Sequence, residues 1–532
     1  MLRNHPNLPD SQAFGHQLRT HNKVLNNVSV LYCASIVSTG NVLVIAPLSS
    51  PSHKNVFSPI VSGLASKGHQ VTVLTAWKPK KEEKNVRELV VLPGFDYFPN
   101  INTMQIRKEG IVGLMAQSQD HVVEACHKIY GNPEFKELLT QPFDVVLVDG
   151  IGNECLYGAV HKLRSPLIIV STFPAPPFFT ENLGNRLPPS FVPDPVLPFL
   201  CRMTFFQRLT NFVFSPIFPF LWTMNLAAQE QVYREHLGME YPGTQEIKAN
   251  VSFLLMNSHF SINGARPVLP DVVEIGGGHC KPGKPLPKDI EEFISKGQNG
   301  FVFFSLGSIV KPHELSDEIR DAFLNAFRKL KFQVIWKWNG DAMPGLPDNV
   351  KLLKWAPQQD ILAHPKIKLF MSHSGLLSIQ EAVYHGVPVL GVPIFGDQNV
   401  NAEIAKQLGF GEVVEILDVT EDSLGGTLSK MLSTDSYRER VKELSKIFRD
   451  RSRDPVDEAV YWTEYVMRYK GATHLRSASR DLNFFQYHCI DVGVFLLVAI
   501  VLVLWGLKIC TLRLIRKCFG KSAQKEGNKK TN

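Results

Sequence analysis

Residues 372–398 read SHSGLLSIQEAVYHGVPVLGVPIFGDQ, and the pattern of this stretch sets the reading of the chain around it. An apolar run ends in Ser372-His373, Ser374-Gly375 make a turn, and residues from about Leu376 to Tyr384 follow helical spacing. A second apolar run spans Val387 to Pro393, and Asp397 opens another polar helix start. Strand, helix and strand in that order form a βαβ unit, which builds parallel sheets with helices on their faces.

Working outward, the apolar runs Phe301–Ser305, Gln333–Lys337, Lys351–Lys354 and Lys368–Ser372 extend the same sheet, with intervening segments long enough for helices. The first half repeats the design. Asn41–Pro47 reads as a strand buried on both faces, Phe57, Ile60, Val61 and Leu64 recur at helical spacing until Gly68, and Gln70–Thr75 is the next strand. Phe143–Asp149 and Ser165–Thr172 add two more. The expected fold class is α/β: two facing Rossmann-like, doubly wound domains at residues 41–275 and 288–453, joined by the Gly/Pro-rich linker 276–287, with a helical and juxtamembrane segment at 454–489. Two such sheets leave a cleft outside the carboxyl ends of their strands, where ligands collect. The Phe- and Pro-dense section from Phe173 to Trp222 has no clean period; an acceptor pocket, membrane-leaning helices and an inserted core all remain open for it.

At 532 residues the chain exceeds one ordinary core, and 44% hydrophobic with 20% charged residues describes a globular protein. The net charge of +7 sits in the tail, because from Lys508 onward eight basic residues face the single Glu526. The neutral body offers no basic face to nucleic acid. The apolar run VGVFLLVAIVLVLWGL at 492–507, extended by its flanks to 490–514, is long enough to cross membrane lipid. The basic tail at 515–532 then stays cytosolic and the body faces a lumen, in a single-pass type I arrangement. Residues 1–40 hold the matching export signal, with the apolar core at Val28–Gly40 behind Arg19 and Lys23. In a lumen Asn250-Val251-Ser252 is a glycosylation acceptor, and Lys529-Lys530 resembles the dilysine address of the endoplasmic reticulum. Eight cysteines without CxxC or regular spacing point to neither zinc nor a disulfide scaffold, and to one bridge at most.

The strand ends of the second half carry a nucleotide-sized set of groups. His373 precedes a helix whose free N–H groups form an anion site, Gly375 permits close approach of a phosphate, and Ser378 and Ser308 add hydroxyl donors. Trp355 offers a stacking face and Gln358 an amide for a base, while Glu381 can accept from two ribose hydroxyls. Asp397 and Gln398 are placed to read the hydroxyls of a sugar.

From Trp355 to Gln398, WAPQQDILAHPKIKLFMSHSGLLSIQEAVYHGVPVLGVPIFGDQ resembles the donor-binding signature of the UDP-glycosyltransferase family, most closely its invertebrate members. The likeness includes the HPK, H-x-G-x-x-S, the glutamate, the spaced prolines and the final Asp-Gln, and it continues in SPSH, FDVVLVD, NVSFLLMNSHF, FSLGS and AVYWTEYVMRYKGATHL. Ser374 and Leu377 depart from the commoner glycine and asparagine of that motif. The resemblance implies a GT-B fold and inverting transfer of glucose or glucuronic acid from UDP to a hydroxyl of a small lipophilic acceptor. It also implies that the UDP-sugar is a co-substrate and that no further cofactor or metal is needed. Trp355 would stack on uracil, Gln358 and Glu381 hold the uridine, Ser308, His373 and Ser378 surround the pyrophosphate, and Asp397 with Gln398 hold the sugar. Self-association into a homo-oligomer is left open.

The chemistry requires a base for the acceptor's proton. His53 follows the first strand and Asp149 closes the strand FDVVLVD at the same sheet edge, so the carboxylate can orient the imidazole and stabilise its protonated form. Both match the base and its partner in the resembled family. A luminal binding protein without turnover is the alternative class, and loss of either residue would have signalled it. A nicotinamide oxidoreductase would need G-x-G-x-x-G where the chain has APLSSPSH.

Overall fold

The computed structural model describes residues 39–527 except 80, 96–102, 308–314 and 341–342, with backbone alone for 111–118, 218, 221–222, 224–225 and 518–527. The export-signal residues 1–38, Ser308 and the dilysine pair lie outside the described residues.

Two parallel sheets form the body. The first contains β1 (Asn41–Ala46), β2 (Gln70–Thr75), β3 (Val86–Val90), β4 (Val145–Asp149), β5 (Leu167–Ser171), β6 (Phe253–Met256) and β7 (Val272–Glu274) in the order β3-β2-β1-β4-β5-β6-β7. The second contains β8 (Phe301–Ser305), β9 (Gln333–Lys337), β10 (Val350–Leu353), β11 (Ile367–Ser372), β12 (Val389–Gly391) and β13 (Gly411–Val413) in the order β10-β9-β8-β11-β12-β13. Alternate side chains of each central strand enter different cores: Leu43 and Ile45 face one side, Val42 and Val44 the other, and Val302 and Phe304 oppose Phe301 and Phe303 likewise. This two-faced burial is why both strands read as unbroken apolar runs. The strand order reverses between β1 and β4 and between β8 and β11, and at such switch points the connections leave toward opposite faces, opening a crevice.

The helices used below are α1 (Pro51–Ser66), α2 (Phe205–Phe214), α3 (Ile217–Leu237), α4 (Leu376–His385), α5 (Gln398–Gln407), α6 (Pro455–Arg468) and α7 (Ile490–Gly527). α6 returns across the gap after the second domain is complete and packs on α1. The fit needs a glycine: a Cβ on Gly63 would lie 2.7 Å from Val460. Glu464 reaches the buried His69 at 3.2 Å, and Val460 and Val466 join the core of the first domain. Within α7, Ile490–Lys517 is long and apolar enough to cross a membrane, and none of that window is buried against the body.

Two expectations are corrected, and two open points are resolved. The strand expected at Val387–Pro393 contracts to Val389–Gly391, because Pro388 and Pro393 lack the N–H that a ladder requires. The connection from β9 to β10 carries no helix among its described residues. Among the described residues one disulfide forms, Cys126 to Cys155, in keeping with the expectation of one bridge at most; it pins the helix Thr103–Gly131 to the turn behind β4. Of the Phe-rich section, Phe178 and Phe179 are core, whereas Phe205, Phe206, Phe212, Phe214 and Phe220 face outward.

Candidate active site

The first half of the site is built where β1 and β4 part. β1 ends in a short turn, and Ser50 caps α1 by accepting from the His53 N–H. The imidazole is thereby carried on the first turn of α1, beside the last residue of β4. Asp149 is completely buried, and its Oδ2 accepts from His53 Nδ1 at 2.7 Å and from the Ser49 hydroxyl. Asn153 braces this pair by accepting from Leu48 N at 3.0 Å and donating to Ser49 Oγ. With Nδ1–H tied to the carboxylate, Nε2 is left to accept a proton; the Thr172 hydroxyl, just past β5, lies 3.3 Å from it. The His53 side chain keeps 27% of its surface open to the cleft. Burial opposes charge on this ring, but the charge and hydrogen bond of Asp149, with Asp397 farther off, outweigh it and raise the His53 pKa above its ordinary value.

The second half is built where β8 and β11 part. Ser374 adopts a left-handed φ of 63°, held by its N–H donating to Ser372 Oγ and its carbonyl accepting from Asn401. This turn sets Gly375 at the head of α4, where the cap residue has no side chain of its own and the Asp397 carboxylate accepts from the Leu376 N–H. The His373 ring packs between two glycines; a Cβ on Gly307 or Gly375 would come within 2.8 or 2.6 Å of its Nε2. Burial, reinforced by the Lys337 charge, lowers His373 to about 4, so this imidazole is neutral at pH 7. Lys337 donates to the Gly307 carbonyl at 2.7 Å, and burial lowers its pKa.

Two amides grip one carboxylate of α4. Gln358 donates to Glu381 Oε2 at 2.6 Å and to Ser378 Oγ at 3.1 Å, and Gln359 donates to Glu381 Oε1 at 3.1 Å. Burial pushes the Glu381 carboxyl up to about 7 against the pull of these amides. Trp355 stands at the rim with 68% of its surface exposed, free to present a ring face. Before α5, the Gln398 carbonyl is committed to the loop N–H groups of Ile394 and Phe395, leaving its amide for the cleft. Asp397 is open to the cleft by surface area; crowding by both walls nevertheless raises its pKa, while Asn401 and His53 act in the opposite sense.

The two halves share one cleft of about 1950 Å³, lined by His53 and Thr172 from the first domain and by Trp355, Gln358, His373 and Asp397 from the second. Gly375, Ser378, Glu381 and Gln398 line it too, and Asp149 lies behind His53. Asn250 lies elsewhere, exposed just ahead of β6 at the opposite edge of the sheet. Thr172, Lys337, Gln359 and Asn401 escaped the sequence reading. Gln359 was visible as the second half of a Gln-Gln pair; the others carry no local signal. Among the described residues, no group of three or more His, Cys, Asp or Glu has metal-binding geometry.

Comparison with known proteins gives this cleft its context. Residues 40–525 match the family described as UDP-glucoronosyl and UDP-glucosyl transferase. The chain belongs to this family of UDP-glycosyltransferases. As a UDP-glycosyltransferase it transfers a sugar from a UDP-sugar donor to an acceptor. It is 33% identical to UDP-glycosyltransferase UGT5 of Dactylopius coccus, over 93% of this chain and 97% of that one. It is 34% identical to human UDP-glucuronosyltransferase 2B15, over 90% and 93%. Among solved structures, a Polygonum tinctorium UDP-glucosyltransferase capable of glucosylating indoxyl superposes with a TM-score of 0.56 at 15% identity, covering 82% of this chain and all of that one. The calicheamicin glycosyltransferase CalG4 gives 0.52 at 19%, covering 81% and 99%. These likenesses confirm the two-domain GT-B architecture of this UDP-glycosyltransferase.

Proposed function

We propose that the protein is an inverting transferase moving glucose or glucuronic acid from UDP to a hydroxyl of a small lipophilic acceptor. The observation that carries this reading is a single imidazole, oriented by a buried carboxylate, opening into the same cleft as the uridine- and phosphate-facing groups. His53 Nε2 takes the acceptor's hydroxyl proton as the oxygen attacks the anomeric carbon. The bond from that carbon to the β-phosphate oxygen breaks, and its electron pair leaves with UDP. Asp149 stabilises the imidazolium as it forms. Attack from the face opposite the leaving group inverts the centre, so an α-linked donor yields a β-glycoside. The departing diphosphate is met by the N-terminus of α4 and by the Gly375 and Ser378 positions, and no cofactor beyond the co-substrate is invoked.

In this reading α7 anchors the chain in a membrane, with Arg513, Arg516 and Lys517 on the cytosolic side and the body in the lumen of the endoplasmic reticulum. The Cys126–Cys155 disulfide suits an oxidising compartment, and the exposed Asn250 suits a glycosylation site there. UDP release from UDP-glucose and from UDP-glucuronic acid, measured against a panel of phenols, tests the assignment. His53→Ala should lower turnover by about 10²- to 10⁴-fold; equal release by parent and variant would end it.

A further inference from the structure

Behind the cleft, α4 is held to the first domain by a row of buried amides that the proposed chemistry does not use. One face of α4 turns Ser378 and Glu381 to the cleft. The adjacent face carries Leu377 and Gln380, three residues apart, and turns to the first domain. Leu377 packs against the core cluster that holds Val44 and Phe57 of that domain. Gln380 is completely buried, and both ends of its amide are engaged: Oε1 accepts from the Gly277 N–H of the linker at 3.2 Å, and Nε2 donates to Asn257 Oδ1 at 3.0 Å. The linker closes tightly over this amide, since a Cβ on Gly276 would lie 3.0 Å from Gln380 Nε2 and 2.5 Å from the Ser258 carbonyl oxygen.

Asn257 continues the row into the first domain. It directly follows β6 and is buried, and its backbone N–H donates to Ser171 O at 2.8 Å. Its Nδ2 donates to the Thr172 carbonyl at 2.9 Å. The hydroxyl of that same threonine lies 3.3 Å from His53 Nε2. Gln380, Asn257 and Thr172 therefore link the helix that carries Glu381 to the imidazole, and each amide is oriented by a partner at both of its ends. An amide pair sealed from water nets little stability over apolar groups of the same shape. What it adds is geometry, because a fully satisfied buried network admits one arrangement of its members.

We propose that Gln380 and Asn257 are positioning residues for sugar transfer: they fix the height of α4 against His53, so that a donor seated on α4 presents its anomeric carbon to the base. The inference rests on the reading of His53 as the base and of α4 as the seat of the diphosphate. Neither amide lines the cleft, so their effect passes through Ser378 and Glu381 on one side and Thr172 on the other. Transfer places the acceptor oxygen between an imidazole held by one domain and a carbon held by the other. An error of about 1 Å in that spacing costs on the order of 10²-fold in rate.

The test compares the full chain with Gln380→Met, Asn257→Leu and the double variant, reading UDP release with one phenol as acceptor, UDP affinity by calorimetry, and melting temperature. Each single substitution should lower kcat about tenfold or more, while KM for the UDP-sugar and the affinity for UDP stay within about twofold. Each also strands a buried polar partner and lowers the melting temperature. The double variant removes both ends of the tie and should melt no lower than the worse single variant, yet its kcat should stay as low as that variant's. Recovery of kcat along with melting temperature makes the tie structural only and overturns the proposal. So do a parental kcat in either single variant, losses of kcat that multiply in the double, or a fall in UDP affinity that matches the fall in kcat. Gln380→Asn, whose amide is one methylene too short to reach Asn257, serves if Gln380→Met does not fold. His53→Ala keeps the two readings apart: lost release there with parental kcat in the amide variants removes this inference alone, whereas parental release in His53→Ala removes the base assignment and this inference with it.

Discussion

Asp149→Asn isolates the step on which the proposed chemistry depends. The side chain is completely buried, its Oδ2 lies 2.7 Å from His53 Nδ1, and it does not line the donor's side of the cleft. Asparagine keeps the volume but removes the charge that stabilises the imidazolium, and it can point an N–H₂ at a ring nitrogen that must itself donate. The attraction of two unit charges at contact in a partly screened site has a ceiling of about 4 kcal/mol. A charge-assisted hydrogen bond nets ~1.5–3 kcal/mol. Loss of ~2–3 kcal/mol from the transition state corresponds to a fall in kcat of about 30- to 160-fold. Because the group touches no donor atom, the KM for the UDP-sugar should stay within about twofold. The pH profile supplies an independent check. Asp149 is what raises His53 against its burial, so its loss should move the acid limb of kcat/KM to lower pH. Initial rates of UDP release from pH 5 to 9, with a melting curve for each variant, measure both effects. A variant that keeps the parental kcat and acid limb, or one that loses donor affinity at unchanged kcat, would refute the reasoning.

Three further outcomes follow from the donor side. Trp355→Ala, at an exposed rim position, should weaken UDP binding about 5- to 150-fold, as loss of one base–aromatic stack does, with melting temperature unchanged and Trp355→Phe partly restoring binding in calorimetry. Gly375→Ala places a methyl 2.6 Å from His373 Nε2, so UDP affinity should drop at least about tenfold while the sheet core stays intact by circular dichroism. Glu381 holds its proton up to about pH 7 in the folded chain against an ordinary 4.5, so stability declines as pH rises through that interval, by up to about 3 kcal/mol in all. Glu381→Gln should remove that slope, and parallel denaturation curves for parent and variant across pH 4.5–7 would count against the assigned burial.

The parts of this molecule that were legible in its sequence are those whose signal is local. β1 and β8 announce themselves because both of their faces are buried, and His53, Asp149, His373 and Glu381 stand at strand ends or helix starts that the same patterns locate. The edge strands β7 and β13 span three residues each, too few for any periodicity to register. Thr172 follows an ordinary apolar strand, and its meeting with His53 depends on β4 and β5 lying in register across the sheet. The docking of α6 on α1 is invisible for a different reason. It depends on a glycine notch at position 63 and on valines nearly four hundred residues away, each unremarkable in its own segment. The outward-facing aromatics of α2 likewise hid its periodicity, because Asn211 and not a phenylalanine marks the buried side.

The return of α6 to the first domain means that the backbone passes between the domains twice, once through residues 276–287 and again just before Pro455. The two passages run side by side: Arg451 donates to the Gly276 carbonyl, Phe448 packs so closely on Gly277 that a Cβ there would lie 2.6 Å away, and Pro455 abuts Gly278. A body joined by two adjacent strips of chain at one margin swings about that margin as a door swings on its jamb. Wrenching apart or sliding of the lobes is thereby resisted, and the motion left to admit a nucleotide is a rotation that widens the far edge of the crevice most.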